Sequence, residues 1–256
     1  MAIADGLRRE VRDSVRVPPF EPHPGLRGGH LQTIAARYLP GKRVRLASTY
    51  HEVEVEDGDR LSLLESVPRG WRPGAPAAVL VHGLCGCARS PFVARLAARL
   101  FACGVRVVRM NLRGAGGGFG LARGTYHSGR TEDPRAVLTW LAKRAPGSPI
   151  AVVGFSLGAN VALKLAAEAA QDPLEGFDSV VAANPPIDLD LCCRTIQQGF
   201  NQLYDRHFLR QLQRNVARLH SAFPDLKPID LSQARGLYDF DDLYTAPRNG
   251  YAGAED

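Results

Sequence analysis

The sequence predicts an α/β fold, a mostly parallel sheet with helices on both faces. Three observations carry that expectation. Short apolar runs at Ala77–Val81, 105–110, 150–153 and 179–183 have the length and β-branched content of buried strands. The segments between them carry helical periodicity and helix punctuation, so strand and helix alternate. Finally, Gly154-Phe155-Ser156-Leu157-Gly158 joins a strand directly to an alanine-rich helix, a tight strand–turn–helix crossing. At 256 residues, 45% hydrophobic and 23% charged, the chain can bury one large core, and no repeat or linker divides it. A single domain over 1–256 is expected, with a helical insertion over 187–247.

In chain order, 1–16 reads as a polar, arginine-rich lead-in, and Pro18, Pro19, Pro22 and Pro24 hold the next stretch extended. Residues 28–40 suggest a short helix stopped by Pro40-Gly41. Two strands at 51–56 and 61–67 pair across Asp57-Gly58-Asp59, a good hairpin turn. After the first parallel strand, Ser90-Pro91 is expected to cap a helix that presents Val93, Leu96, Ala97 and Leu100 on one face and stops at Gly104. Asp133-Pro134 opens the next helix, through Val137, Leu138 and Leu141, and 157–170 forms the helix behind Ser156. From 187 the alternation ceases. Leu209, Leu212, Val216, Leu219 and Phe223 follow a helical stripe, with Arg206, Arg210, Arg214 and Arg218 stepping by four on the other side. A solvated face explains those arginines, with weak contact to a lipid surface as the alternative. A helical block at this point in the chain is placed to act as a lid.

The chemistry centres on Ser156. In the crossing, Gly154 and Gly158 are required where a Cβ would collide with the neighbouring chain, and the turn lifts the serine hydroxyl above the sheet as a nucleophile. The Leu157 N–H then points where an oxyanion would form, and the loop Val81-His82-Gly83-Leu84 would supply a second donor from Leu84. His82 precedes the nucleophile and lies in the wrong loop for a general base, so it is read as a hydrogen-bonding member of that loop. The glycines at 114, 116, 117, 118 and 120 match neither a dinucleotide nor a phosphate-loop pattern and read as a mobile loop over the site. The five cysteines form no CxxC pair, so no metal site is expected, and reduced thiols fit a cytoplasmic protein. The net charge of +6 comes from scattered arginines, which argues against nucleic-acid binding. No run approaches the ~18 apolar residues of a membrane span.

Six motifs together resemble one family. They are Gly28-Gly29-His30-Leu31-Gln32-Thr33, His82-Gly83-Leu84, Met110-Asn111-Leu112-Arg113-Gly114, Tyr126-His127-Ser128-Gly129, the Ser156 elbow, and Ala183-Asn184-Pro185-Pro186. In this order they resemble the YheT-like α/β-hydrolases, carboxylesterases related to the animal ABHD group. The resemblance implies the α/β-hydrolase fold and a cofactor-free esterase for short- to medium-chain acyl esters, with a small-molecule ester as its partner. Ser156 maps to the nucleophile, and Leu84 and Leu157 map to the oxyanion hole. His30, Asn111, Arg113 and His127 occupy motif positions read here as hydrogen-bonding loop anchors.

The sequence also departs from that pattern. In this fold the nucleophile is followed by Asp or Glu and then His, on loops after later strands. After Ser156 only His207 and His220 remain, both within the helical block, and no strand pattern follows Ala183. The triad Asp and His are therefore expected to be absent from this chain. The last strands are expected to be missing, and the chain alone should be weakly active or inactive. An acyltransferase on the same fold, or a binding module lacking the triad, are the alternatives.

Overall fold

The computed structural model describes residues 19–38 and 44–255. Contacts divide the chain into two units, residues 1–43 and 44–256. In the first, helix α1 (Gly29–Tyr38) forms where the sequence predicts a helix. The lead-in at 1–16 and the Pro40-Gly41 stop lie outside the described residues. The extended stretch before α1 is interrupted by a turn, in which the Leu26 N–H donates to the His23 carbonyl at 2.7 Å.

The second unit is built on a six-stranded sheet: β1 (Thr49–Glu54), β2 (Arg60–Ser66), β3 (Ala77–Val81), β4 (Arg106–Met110), β5 (Ile150–Phe155) and β6 (Phe177–Ala183). The spatial order is β1-β2-β4-β3-β5-β6. β1 and β2 form the antiparallel hairpin, with Val53 opposite Leu61 and Gly58 at φ +83° in its turn. β2 runs antiparallel to β4, and β4, β3, β5 and β6 are mutually parallel.

Period-two alternation sends successive side chains of these strands to opposite faces. On one face Ala77, Val79 and Val81 of β3, with Val108, Ile150 and Val152, pack against Val137, Leu138 and Leu141 of α3 (Glu132–Ala142) and Ala162 and Leu165 of α4 (Leu157–Ala169). On the other, Ala78, Leu80, Val107 and Val153 meet Val93 and Ala97 of α2 (Pro91–Ala102). Complete burial of each valine or leucine contributes about 1.5–3 kcal/mol, so the two layers hold the sheet rigid beneath the elbow. Two local expectations are corrected. Ser90 stands at the start of α2 without a side-chain cap; its Oγ instead accepts from the Cys87 N–H at 3.0 Å. The middle of the glycine run is packed against the sheet: a Cβ on Gly116 would lie 2.5 Å from Asn111 Oδ1, and one on Gly118 would lie 3.2 Å from Ser62 Oγ.

Beyond β6 the described chain is helical: α5 (Leu189–Ile196), α6 (Gln202–Ala222), α7 (Leu237–Phe240), a π turn (Asp241–Thr245) and α8 (Ala246–Asn249). Leu209 and Leu212 of α6 pack with Leu237, Phe240 and Tyr244 into a separate apolar cluster. Arg206, Arg210, Arg214 and Arg218 lie exposed, as a helical period requires. The Arg218 guanidinium covers the Phe119 ring at 4.2 Å.

Candidate active site

Ser156 sits at φ +52°, ψ −122°, a conformation that costs a residue with a Cβ about 1–3 kcal/mol. It is held there from both sides. Its N–H donates to the Ala183 carbonyl at 2.9 Å, and its own carbonyl accepts from Ala159 N at 2.8 Å. The flanking glycines are obligatory: a Cβ on Gly154 would lie 2.2 Å from the Gly158 carbonyl oxygen, and one on Gly158 would lie 2.4 Å from that of His82. Main chain cannot give way as a flexible side chain can, so the sequence spacing is a steric requirement.

The loop after β3 crosses directly over this serine. A Cβ built on Gly83 would lie 3.0 Å from Ser156 Cβ and 3.6 Å from its Oγ. Leu84 follows, and no described acceptor takes its N–H or that of Leu157, the first residue of α4. Cys85 turns the loop at φ +54° and donates its N–H to the Tyr126 hydroxyl at 3.0 Å.

His82 anchors the loop from below. Nδ1 is 2.8 Å from the Gly83 carbonyl, and Nε2 accepts from the Leu112 N–H at 3.0 Å, which fixes a neutral ring with its proton on Nδ1. Burial lowers its pKa to about 4, only partly opposed by the Gly83 carbonyl. The folded-state pKa lies below the unfolded value near 6.5, so the unfolded chain binds the proton first as pH falls. Stability is complete above about pH 6.5 and is lost between there and pH 4, by about 3 kcal/mol. An NMR titration of the imidazole should give a midpoint near 4; one above 6 would contradict this tautomer and burial.

A second anchor is Arg113. Its buried guanidinium meets Asp133 through Nε and Nη2, at 3.0 and 2.7 Å, and Asp59 through Nη1 at 2.7 Å, with Asp57 beside it. Burial opposes the charge, but Asp133 and Asp57 outweigh it and hold the arginine more firmly protonated than in water. Asp59 also accepts the N–H groups of Arg123 and Gly124, at 2.7 and 2.8 Å. One ion cluster thus joins the β1–β2 turn, the start of α3 and the loop leading to Tyr126. Asp133, read in the sequence as a helix opener, is also the arginine's bidentate partner.

Ser156, Leu84 and Leu157 line one cavity of about 1040 Å³, together with Tyr126, His127 and Arg113. Its far wall comes from the helical block, including Ile196, Leu212 and Leu237. His127 accepts the Gly129 N–H on Nδ1 at 3.2 Å, and burial with the nearby Arg130 lowers its pKa to about 4, so it is neutral near pH 7. Asn111 lies below the site, accepting from Ala88 N and donating to Ser62 Oγ. His207 and His220 do not line the cavity; they contact Gln211 and Arg248 instead. No hydrogen bond joins the Ser156 hydroxyl to a described residue. No group of three or more His, Cys, Asp or Glu among the described residues could hold a metal, and no described helix is long and apolar enough to cross a membrane. Sequence reading missed Asp241, a cavity-wall carboxyl on the π turn, because a π turn leaves no mark in residue spacing.

A strained serine between a parallel strand and a helix, beneath a loop whose Leu84 N–H meets no described acceptor, has the strand–turn–helix geometry of the α/β-hydrolase fold. Comparison with known proteins agrees. Residues 76–234 match the model of the alpha/beta hydrolase fold family. The chain is 35% identical over 241 residues to a protein of Escherichia coli (strain K12) named "Putative esterase YheT", covering 93% of this chain and 70% of that one. It is 28% identical over 253 residues to "Embryogenesis-associated protein EMB8" of Picea glauca, covering 93% of this chain and 54% of that one. Among solved structures, the Pyrococcus furiosus esterase Pf2001 superposes with a TM-score of 0.51 at 22% identity, over 72% of this chain and 69% of that one, a likeness of fold. The chain belongs to the α/β-hydrolase fold family, among its YheT-like members.

Proposed function

We propose that this protein is a carboxylic-ester hydrolase that works through an acyl-enzyme on Ser156, on short- to medium-chain acyl esters. The observation that carries the reading is the strained Ser156, set beside two unengaged N–H groups in a largely apolar cavity. In the first step Ser156 Oγ attacks the ester carbonyl carbon. The hydroxyl proton passes to a base, and the carbonyl electron pair moves onto oxygen, where the Leu84 and Leu157 N–H groups receive it. Collapse expels the alcohol and leaves an acyl-serine, which water then hydrolyses by the same route.

Both steps need a base, and no described imidazole is bonded to Ser156. An ester with a leaving group stable as an anion should therefore acylate Ser156 slowly, and the acyl group should leave more slowly still. Incubation with p-nitrophenyl butyrate should release about one equivalent of p-nitrophenol per chain with little turnover, and Ser156→Ala should remove the release. Turnover of many per second that is lost in Ser156→Ala would mean that a base such as His127 reaches the serine in solution.

The block at 187–247 acts in this reading as a lid. Support comes from its residues on the cavity wall and its own small apolar cluster, separate from the sheet. Its amides should exchange faster than those of α4, whose Val161, Ala162 and Leu165 are buried. Equal protection would make the block part of the core.

A further inference from the structure

Three aspartates of the helical block carry buried or partly buried carboxyls, and two of them hold backbone N–H groups without lining the cavity of Ser156. Asp205 accepts the Leu237 N–H at 2.8 Å and so holds the start of α7. Asp239 accepts the Arg235 N–H at 2.8 Å. Asp241 differs. It opens the π turn, lines the cavity that holds Ser156, and receives one hydrogen bond, from Thr245 Oγ1 to its Oδ1 at 2.7 Å. Among the described residues its Oδ2 receives none, and no arginine or lysine pairs with it. Burial raises its pKa, with the Thr245 bond opposing, while the Tyr126 phenol and the Cys193 thiol both sense its charge. Asp241 therefore stands near the tyrosine that braces the oxyanion loop and the cysteine of α5.

A desolvated carboxyl with an unused oxygen is costly unless something supplies the missing donor. Such a group in a cavity whose lining is mostly apolar has the character of a specificity contact. A hydroxyl suits it better than an ammonium, because a hydroxyl can donate to the carboxylate or accept from the protonated acid and loses less hydration on entering an apolar wall. We propose that Asp241 reads a free hydroxyl on the substrate, so that the pocket prefers hydroxylated esters to their alkyl isosteres. Asp241 lines the cavity from the π turn, and Thr245 holds its Oδ1. This inference rests on the ester-pocket reading and names the substrate class within it.

The test uses the full chain carrying Ser156→Ala, which leaves bound esters intact, and measures dissociation constants for two matched pairs. 2-Hydroxyethyl butyrate against propyl butyrate places the hydroxyl on the alcohol side, and methyl 4-hydroxybutyrate against methyl pentanoate places it on the acyl side. One hydroxylated member should bind roughly 10- to 100-fold more tightly than its isostere, as a hydrogen bond to a charged group allows, and the pair that discriminates identifies the side. Adding Asp241→Ala should erase that preference while leaving the isostere's affinity intact. Adding Thr245→Val, which removes the structural bond but keeps the acceptor, should preserve it. If Asp241→Ala lacks a cooperative melt, Asp241→Asn carries the same comparison. Equal binding within both pairs, or a preference that survives loss of the carboxylate, overturns the role of Asp241 and leaves the ester pocket standing. Failure of all four esters to bind removes both readings.

Discussion

Arg113→Met should lower stability by about 3–5 kcal/mol, a fall in Tm of about 10 °C or more for a chain of this size. The guanidinium is 1% exposed and serves Asp133, itself 1% exposed, and Asp59, 9% exposed. Methionine fills much of the same space but leaves those carboxylates buried without their counter-charge. That uncompensated charge, rather than the lost attraction, is the main cost. The damage should reach the site. Asp59 holds the Arg123 and Gly124 N–H groups in the loop that carries Tyr126, and Tyr126 receives the Cys85 N–H beside Leu84. Arg135→Met is the control, since Arg135 pairs with an Asp172 that is 79% exposed, and less than 1 kcal/mol is expected there. Urea unfolding of the two variants beside the parent decides it. A loss within 1 kcal/mol for Arg113→Met would show that the cluster does not hold these loops.

Leu84→Pro should slow acylation of Ser156 by p-nitrophenyl butyrate about 10²–10³-fold, the usual cost of removing one oxyanion donor. Proline deletes the N–H, whereas Leu84→Ala keeps it and should stay within a few-fold of the parent. The contrast separates a main-chain role from a side-chain one. Proline restricts the preceding residue as well, so the melt of each variant must be compared. A proline variant that acylates at the parental rate would remove Leu84 from the oxyanion hole.

Sheet and elbow could be read from the chain because their signals are local. β3 occupies Ala77–Val81 as its apolar run predicts, and the glycine spacing around Ser156 follows from backbone collisions that no side chain can relieve. What escaped depends on partners distant in sequence. Nothing in Asp133-Pro134 reveals that the carboxyl meets Arg113 twenty residues earlier, and a helix-opening aspartate looks the same without that partner. Glycines 116 and 118 were read as freedom to move; the structure uses their lack of a Cβ to bring backbone against Asn111 and Ser62. Asp241 was hidden for a related reason. The π turn shifts its side chain out of the 3.6-residue register on which helical patterns are judged, so its place in the cavity wall has no periodic signature.

The central claim is that Ser156 becomes acylated, and peptide mass mapping after incubation with p-nitrophenyl butyrate tests it most directly. The account predicts one butyryl group on the peptide containing Ser156 and none on that peptide in Ser156→Ala. A butyryl group on another side chain with Ser156 unmodified, or p-nitrophenol release that continues at the same rate in Ser156→Ala, would contradict it.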